Sequence, residues 1–273
     1  MRYLITLLLM ILLFSSCEKK ANIEVPDLDP ELVVAGFIAP ITDTLRLKLT
    51  WTVPIYNHTF DYDNSSYNEE NANITFTSNG NTVNLNYDTL EKCYFALNTN
   101  YNIGDEVEMS IKYNDLAELT STTIIPADPE FELKYLGLKT IDHVDYTEYN
   151  NQFEFKCLAS EPKNYFRIKM ISYSTQGNAT YKDEMYMGDD EFQEMEPNES
   201  TTISTYYSDY NTLDSIRYYI INCSEEYYKY HMSVRNYQGD DLFVEPSIIY
   251  DNVENGLGNF SAFNMVSDTL IVN

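Results

Sequence analysis

The chain has 273 residues, 17 of them basic and 43 acidic, for a formal net charge of −26 and a pI near 4.2. That balance excludes attachment through nucleic-acid phosphates or through a polybasic patch on anionic lipid, since both need clustered Lys and Arg. It does not exclude a folded core: hydrophobic residues make up 44% and aromatic residues 14%, whereas disorder pairs high charge with low hydrophobicity.

The first element is MRYLITLLLMILLFSSCEKK. Arg2 gives a positive start, an apolar run extends from Tyr3 to Phe14, and Ser15 and Ser16 precede Cys17. A run of about a dozen apolar residues is short of the roughly 20 that span a bilayer core. With small residues at its end it reads as a secretory signal peptide over residues 1–16. The cysteine directly after the small residues marks the bacterial lipoprotein type of signal. Cys17 is therefore the expected lipidation site and first mature residue; the plainer alternative is an ordinary signal peptide with Cys17 incidental. Two or three acyl chains make a durable membrane anchor. Residues 17–30 are polar, carry Pro26 and Pro30, and read as a tether.

Residues 31–126 follow as short runs rich in β-branched and aromatic residues, about seven strands, which fits an immunoglobulin-like β-sandwich. Leu45, Leu47, Leu49 and Trp51 alternate with Arg46, Lys48 and Thr50, the pattern of a strand with one buried face. Asn79-Gly80-Asn81 predicts a tight hairpin. Between Pro54 and Ala72 no period holds, so a long polar loop is expected, of the length that is usually functional or mobile. Pro126, Asp128 and Pro129 mark a boundary. Residues 127–273 resume strand patterns as a second β-rich domain with one helix near 225–237. Ser224 caps that helix, Glu225 and Glu226 suit its positive end, Gly239 stops it, and Tyr227, Tyr230, His231 and Val234 share one face.

Chemistry-bearing motifs are sparse. Cys93, Cys157 and Cys223 each sit in an alternating apolar run and read as small buried hydrophobes. An extracytoplasmic chain permits one bridge, for which Cys157–Cys223 is the choice. His58, His143 and His231 lie far apart in sequence, and neither G-x-S-x-G nor H-E-x-x-H occurs, so no nucleophile elbow or zinc-protease helix is present. No enzymatic activity, cofactor or metal is expected. Asp61, Asp63, Ser65 and Glu70 offer oxygen donors in the long loop, without the glycine and spacing of an EF-hand. Of 25 tyrosines, Tyr206, Tyr207, Tyr210, Tyr218, Tyr219, Tyr227, Tyr228 and Tyr230 crowd one stretch; they read as strand packing or as an aromatic contact face for glycan, peptide or receptor. The triplets beginning at Asp43, Asp88, Asp214 and Asp268 read as turns entering strands, and resemble O-glycosylation acceptors of exported bacterial proteins. Gly256 and Gly258 around Leu257 predict a fold-closing bend before a last strand bearing Phe260 and Phe263.

Two segments carry a resemblance over nearly the whole chain: SSCEKKANIEVPDLDPELVVAGFIAP at the start and FVEPSIIYDNVENGLGNFSAF near the end. They are similar to the Bacteroidota outer-membrane lipoproteins of the domain of unknown function 4249 family, with Asn259 at a usually apolar position and Ser261 where glycine is frequent. The resemblance implies a lipid-anchored outer-membrane protein encoded near TonB-dependent receptors, with no established activity, and only Cys17 carries over as a functional position. The expectation is an all-β, non-enzymatic accessory or binding partner of a TonB-dependent receptor or surface uptake system. The alternative is a free-standing glycan-binding or adhesin lipoprotein.

Overall fold

The computed structural model describes residues 29–40, 44–53, 67–97, 99, 101–145, 147–176, 179–184, 190–207, 212–237 and 248–272. Its strands are β1 (Leu32–Ile38), β2 (Thr44–Trp51), β3 (Asn73–Ser78), β4 (Asn81–Asn84), β5 (Asn86–Asp88), β6 (Cys93–Leu97), β7 (Glu106–Lys112) and β8 (Leu119–Ile124). They continue with β9 (Phe131–Asp142), β10 (Thr147–Cys157), β11 (Asn164–Gln176), β12 (Ala179–Glu184), β13 (Glu191–Met195), β14 (Ser200–Tyr207), β15 (Thr212–Cys223) and β16 (Leu257–Ile271). One helix, α1 (Glu225–Arg235), lies between β15 and β16.

The strands form a nine-stranded sheet in the order β12-β11-β15-β16-β1-β2-β6-β5, with β13 also on β11, a four-stranded sheet β4-β3-β7-β8 and a three-stranded sheet β14-β10-β9. The chain is all-β, a β-sandwich followed by a second β-rich body with one short helix. In the first sandwich β2 buries Leu45, Leu47 and Leu49 and exposes Arg46 and Lys48. These leucines meet Ile74, Phe76, Val107, Met109 and Ile111 of the four-stranded sheet. Asn79 (φ 51°) and Gly80 (φ 77°) close the β3–β4 hairpin, both left-handed as a two-residue hairpin turn requires. In the second body Phe153, Phe155 and Cys157 face Phe166, Ile168, Met170, Ile216 and Ile220.

The last strand joins the two. Leu257 to Ala262 pair in parallel with β1, and Phe263 to Ile271 pair antiparallel with β15. The even residues Phe260 and Ala262 enter the first core, and Val266 and Leu270 pack against the second. Val253, just upstream, also fills the first core, so that core is completed by the end of the chain. Gly36 faces Phe260 across the pair, and a Cβ there would stand 3.1 Å from its ring. The connector is pinned as well: Asn222 Nδ2 donates to Ala127 O (3.0 Å) and Asn264 Nδ2 to Asp128 Oδ1 (2.9 Å).

The closing bend departs from expectation in one respect. Gly258 has φ 107°, but its left-handed companion is Asn255 (φ 60°), not Gly256. Gly256 is required for space instead, since a Cβ would stand 2.6 Å from Leu119 Cδ2.

Candidate functional site

The densest convergence of ionisable and aromatic side chains lies under α1, on the outer face of the nine-stranded sheet where the two bodies meet. Ser224 is extended (φ −64°, ψ 158°) and its hydroxyl accepts from Tyr227 N (3.4 Å). The same residue fixes the helix to β16: Ser224 N donates to Ala262 O (2.9 Å), and Ala262 N donates to Ser224 Oγ (3.4 Å). Glu225 and Glu226 occupy the first turn and Arg235 the last, each at the end its charge favours. Tyr227, Tyr230 and His231 turn inward together. His231 lies 4.3 Å from Tyr227, 5.4 Å from Phe37 and 5.8 Å from Phe192, ring centre to ring centre. Val234, on the same face a turn later, is exposed.

Arg167 of β11 is the hub. Its Nε donates to Asp190 Oδ2 (2.6 Å), its Nη2 lies 2.5 Å from the same oxygen, and its Nη1 donates to Tyr227 OH (2.6 Å). Arg235 Nη1 donates to Asp190 O (3.1 Å), so helix end, carboxylate and sheet form one chain of contacts. Burial pushes the Tyr227 hydroxyl up to about 12 and the Cys223 thiol well above its ordinary range. Burial, with Arg167 adding to it, lowers His231 to about 4. At neutral pH the tyrosine and thiol are protonated and the imidazole is neutral, with no hydrogen-bond partner at Nε2. These states suit holding a helix in place; a nucleophile would need the thiolate.

A polar cluster that sequence reading missed lies under the start of α1. Asn259 and Ser261 are fully buried on the odd face of β16. Asn252 clamps Phe260 by exchanging two hydrogen bonds with its backbone (2.7 and 2.9 Å), and Ser261 Oγ donates to Asn259 Oδ1 (2.5 Å). Asn259 Nδ2 reaches Glu226 O (3.4 Å). Polar residues at alternate strand positions read as a wet face; only the helix lying over them reverses that.

The described end of the long loop is anchored by Glu69, which is 5% exposed. It accepts from Trp51 Nε1 (3.1 Å) and Asn71 N (2.8 Å), while Trp51 packs edge-on against Tyr113 (5.7 Å). Glu70 accepts from Tyr87 OH (3.3 Å). Asp61, Asp63, Ser65 and His58 lie outside the described residues, as does Cys17.

Three expectations are corrected. Cys157 and Cys223 are not bridged: both are free, Cys157 in the core between the second body's sheets and Cys223 in the layer under α1, with the nine-stranded sheet between them. Cys93 is only half-buried, because β6 turns Tyr94 and Ala96 inward and leaves Leu97 exposed; the Tyr94 hydroxyl takes Ala72 N as donor (2.8 Å), which lets a tyrosine fill the inside. Of the triplets, Asp88 makes the turn, accepting from Leu90 N and Glu91 N, whereas those at Asp214 and Asp268 lie within β15 and β16, where Ile216 pairs with Leu270.

Three tyrosines of the crowded stretch pack rather than project: Tyr227 is buried, Tyr228 tilts on Tyr165 (5.0 Å) and Tyr218 meets Phe131 (5.8 Å). Among the described residues no three His, Cys, Asp or Glu side chains converge as a metal site, and no helix is long and apolar enough to cross a membrane.

A family model described as a domain of unknown function (DUF4249) matches residues 18–269. No curated protein matches. Among solved structures, a two-domain fibronectin type-III segment of chicken tenascin aligns at 11% identity and TM-score 0.20, covering 89% of this chain and 100% of that one.

Proposed function

The chain belongs to the DUF4249 family, and from that premise we propose that it is a lipid-anchored, non-enzymatic outer-membrane protein, an accessory or binding partner of a TonB-dependent receptor or surface uptake system. One observation carries the reading. β1 and β16 start together, beside Pro30, where the expected tether would enter, and β16 then runs 15 residues into the second body. At ~3.3 Å per residue that is roughly 50 Å. An anchor at one end and a second body held at the other is the geometry of a presenting stalk. The ionisable cluster nearest to an active site is committed to holding α1.

Two measurements test this. Cys17→Ala should move the protein out of the membrane fraction; retention after a high-salt wash would refute the anchor. Affinity purification in mild detergent should recover a barrel receptor. Glycan-array binding without a receptor would favour the free-standing adhesin, and catalytic turnover abolished by one Asp or Glu substitution would overturn the non-enzymatic reading.

A further inference from the structure

A sheet edge exposes a row of unpaired backbone groups, and proteins blunt such edges with charge, bulges, short strands or cover. Most edges of this molecule are blunted. β5 and β4 span three and four residues. β8 is covered by the segment before β16, through the Thr120–Glu254 bridge and Ser121 Oγ donating to Asn252 O (2.7 Å). β12 carries Lys182, Asp183 and Glu184, and β13 carries Glu191 and Glu194. β9 carries Lys134 and Lys139 and is broken by a bulge opposite Gln152 and Phe153, with Gly137 at φ 111°.

Among the described residues, β14 has none of these devices. Ser200-Thr201-Thr202-Ile203-Ser204-Thr205-Tyr206-Tyr207 holds no charge, proline or glycine. It pairs with β10 through eight unbroken register positions and, among the described residues, with no other strand. A second observation marks the same edge. Thr205 is 3% exposed and its Oγ1 has no hydrogen-bond partner; Asn151, opposite it on β10, is 1% exposed with Nδ2 likewise unpartnered. Asn151 Oδ1 is already served by Tyr135 OH (2.9 Å). An orphaned buried hydroxyl on an edge strand lacks what the next strand would bring: a side chain directly opposite, with Cβ atoms about 5 Å apart.

We propose that the outer edge of β14 is a docking strand for an extended segment of a partner protein. The segment alternates polar and apolar residues, sets a hydroxyl side chain against Thr205, and carries Lys or Arg toward the acidic turn of Glu196 and Glu199. Backbone pairing supplies affinity and the facing side chains supply selectivity, as in other strand-addition complexes. A second copy of this chain is the poorer occupant, because it brings the same acidic turn and a further net charge of −26. The proposal deepens the binding role above by giving it a place and a mode.

The test uses the full lipoprotein in detergent and a synthetic peptide of alternating valine and threonine flanked by lysine pairs. Hydrogen exchange should show alternate β14 amides open in the free protein and slowed at least about tenfold by the peptide. A peptide with alternate backbone nitrogens methylated should fail to bind. Thr205→Val should leave the melting temperature unchanged or raised, because it removes an orphan, yet weaken the peptide by roughly two- to tenfold. The proposal is overturned if β14 amides are already slow in the free protein, whether through its own chain or a doubled mass, or if protection falls on β9, β4 or β5. Equal binding of the methylated peptide would also overturn it. Receptor recovery that survives such a failure leaves the binding role standing and removes only this edge.

Discussion

Gly258→Ala tests the seam between the two ends of the chain. Gly258 pairs with Val34 in the parallel β1–β16 ladder at φ 107°. Two costs follow from adding one methyl group. Holding an alanine at that φ costs about 1–3 kcal/mol. The new Cβ would also stand 2.0 Å from Val34 O and 2.7 Å from Val34 N, and neither backbone atom can move without opening the ladder. Displacing the strands adds about 1–3 kcal/mol more, comparable to overpacking a core. Gly80→Ala separates the two costs: φ is 77° there and nothing lies within 4 Å, so only the conformational part applies. Gly256→Ala isolates the other, because its φ is ordinary and its Cβ would meet Leu119. The order of destabilisation should be Gly258→Ala first, and the first should exceed either of the others by at least about 1 kcal/mol. For a chain of this size each kcal/mol moves Tm by about 2–4 °C, so the Tm of Gly258→Ala should fall by about 4–24 °C in a calorimetric scan. A Tm equal to that of Gly80→Ala would refute the claim that β1 and β16 meet at this seam.

Asp190→Asn should destabilise by about 2 kcal/mol, less than the loss of a fully buried partner, because the Arg167–Asp190 pair is partly exposed at 29% and 16%; no change in urea midpoint would remove Arg167 as the hub. His231 titrates near 4 in the fold against about 6.5 unfolded. Its neutral form is therefore favoured by folding, the contribution is complete above pH 6.5, and it is lost as pH falls toward 4. His231→Phe should flatten that part of the stability curve by about 1–3 kcal/mol relative to wild type, and parallel curves would show the ring to be solvent-accessible. Glu69→Ala should cost about 1–3 kcal/mol by orphaning Trp51 Nε1 and Asn71 N. Trp51 is the chain's one tryptophan, so its emission should change as well; unaltered emission would place Glu69 away from it.

Local pattern was legible in the sequence where one face of a strand meets the core and the other meets water. The β2 alternation, the Asn79–Gly80 turn and the capped helix after Ser224 are all of that kind, and each is set by residues within a few positions. Legibility failed where a second layer covers the outer face. Asn259 and Ser261 have the spacing of a wet face and are buried by α1. Cys93 and Phe95 share a strand with Tyr94 and Ala96, and apolarity alone picks the wrong pair, because the Tyr94 hydroxyl has a backbone donor waiting. The pairing of β1 with β16 was hidden for a different reason: alternation says that a strand has two faces, not which distant strand lies beside it.

That distant pairing sets how the parts depend on one another. β16 is an interior strand of the nine-stranded sheet, between β15 and β1. Without it, β1 loses its parallel neighbour, the first core loses Phe260 and Ala262, and Val266 and Leu270 no longer cover the second. The helix loses the backbone that Ser224 grips. The first sandwich therefore cannot close from residues 31–126 alone, although its other strands all lie there. Bringing Leu257 beside Val33 closes a loop of more than two hundred residues, an entropic cost that must be met before the contacts reward it. β16 completes both cores, so neither core closes until residues 257–271 are in place.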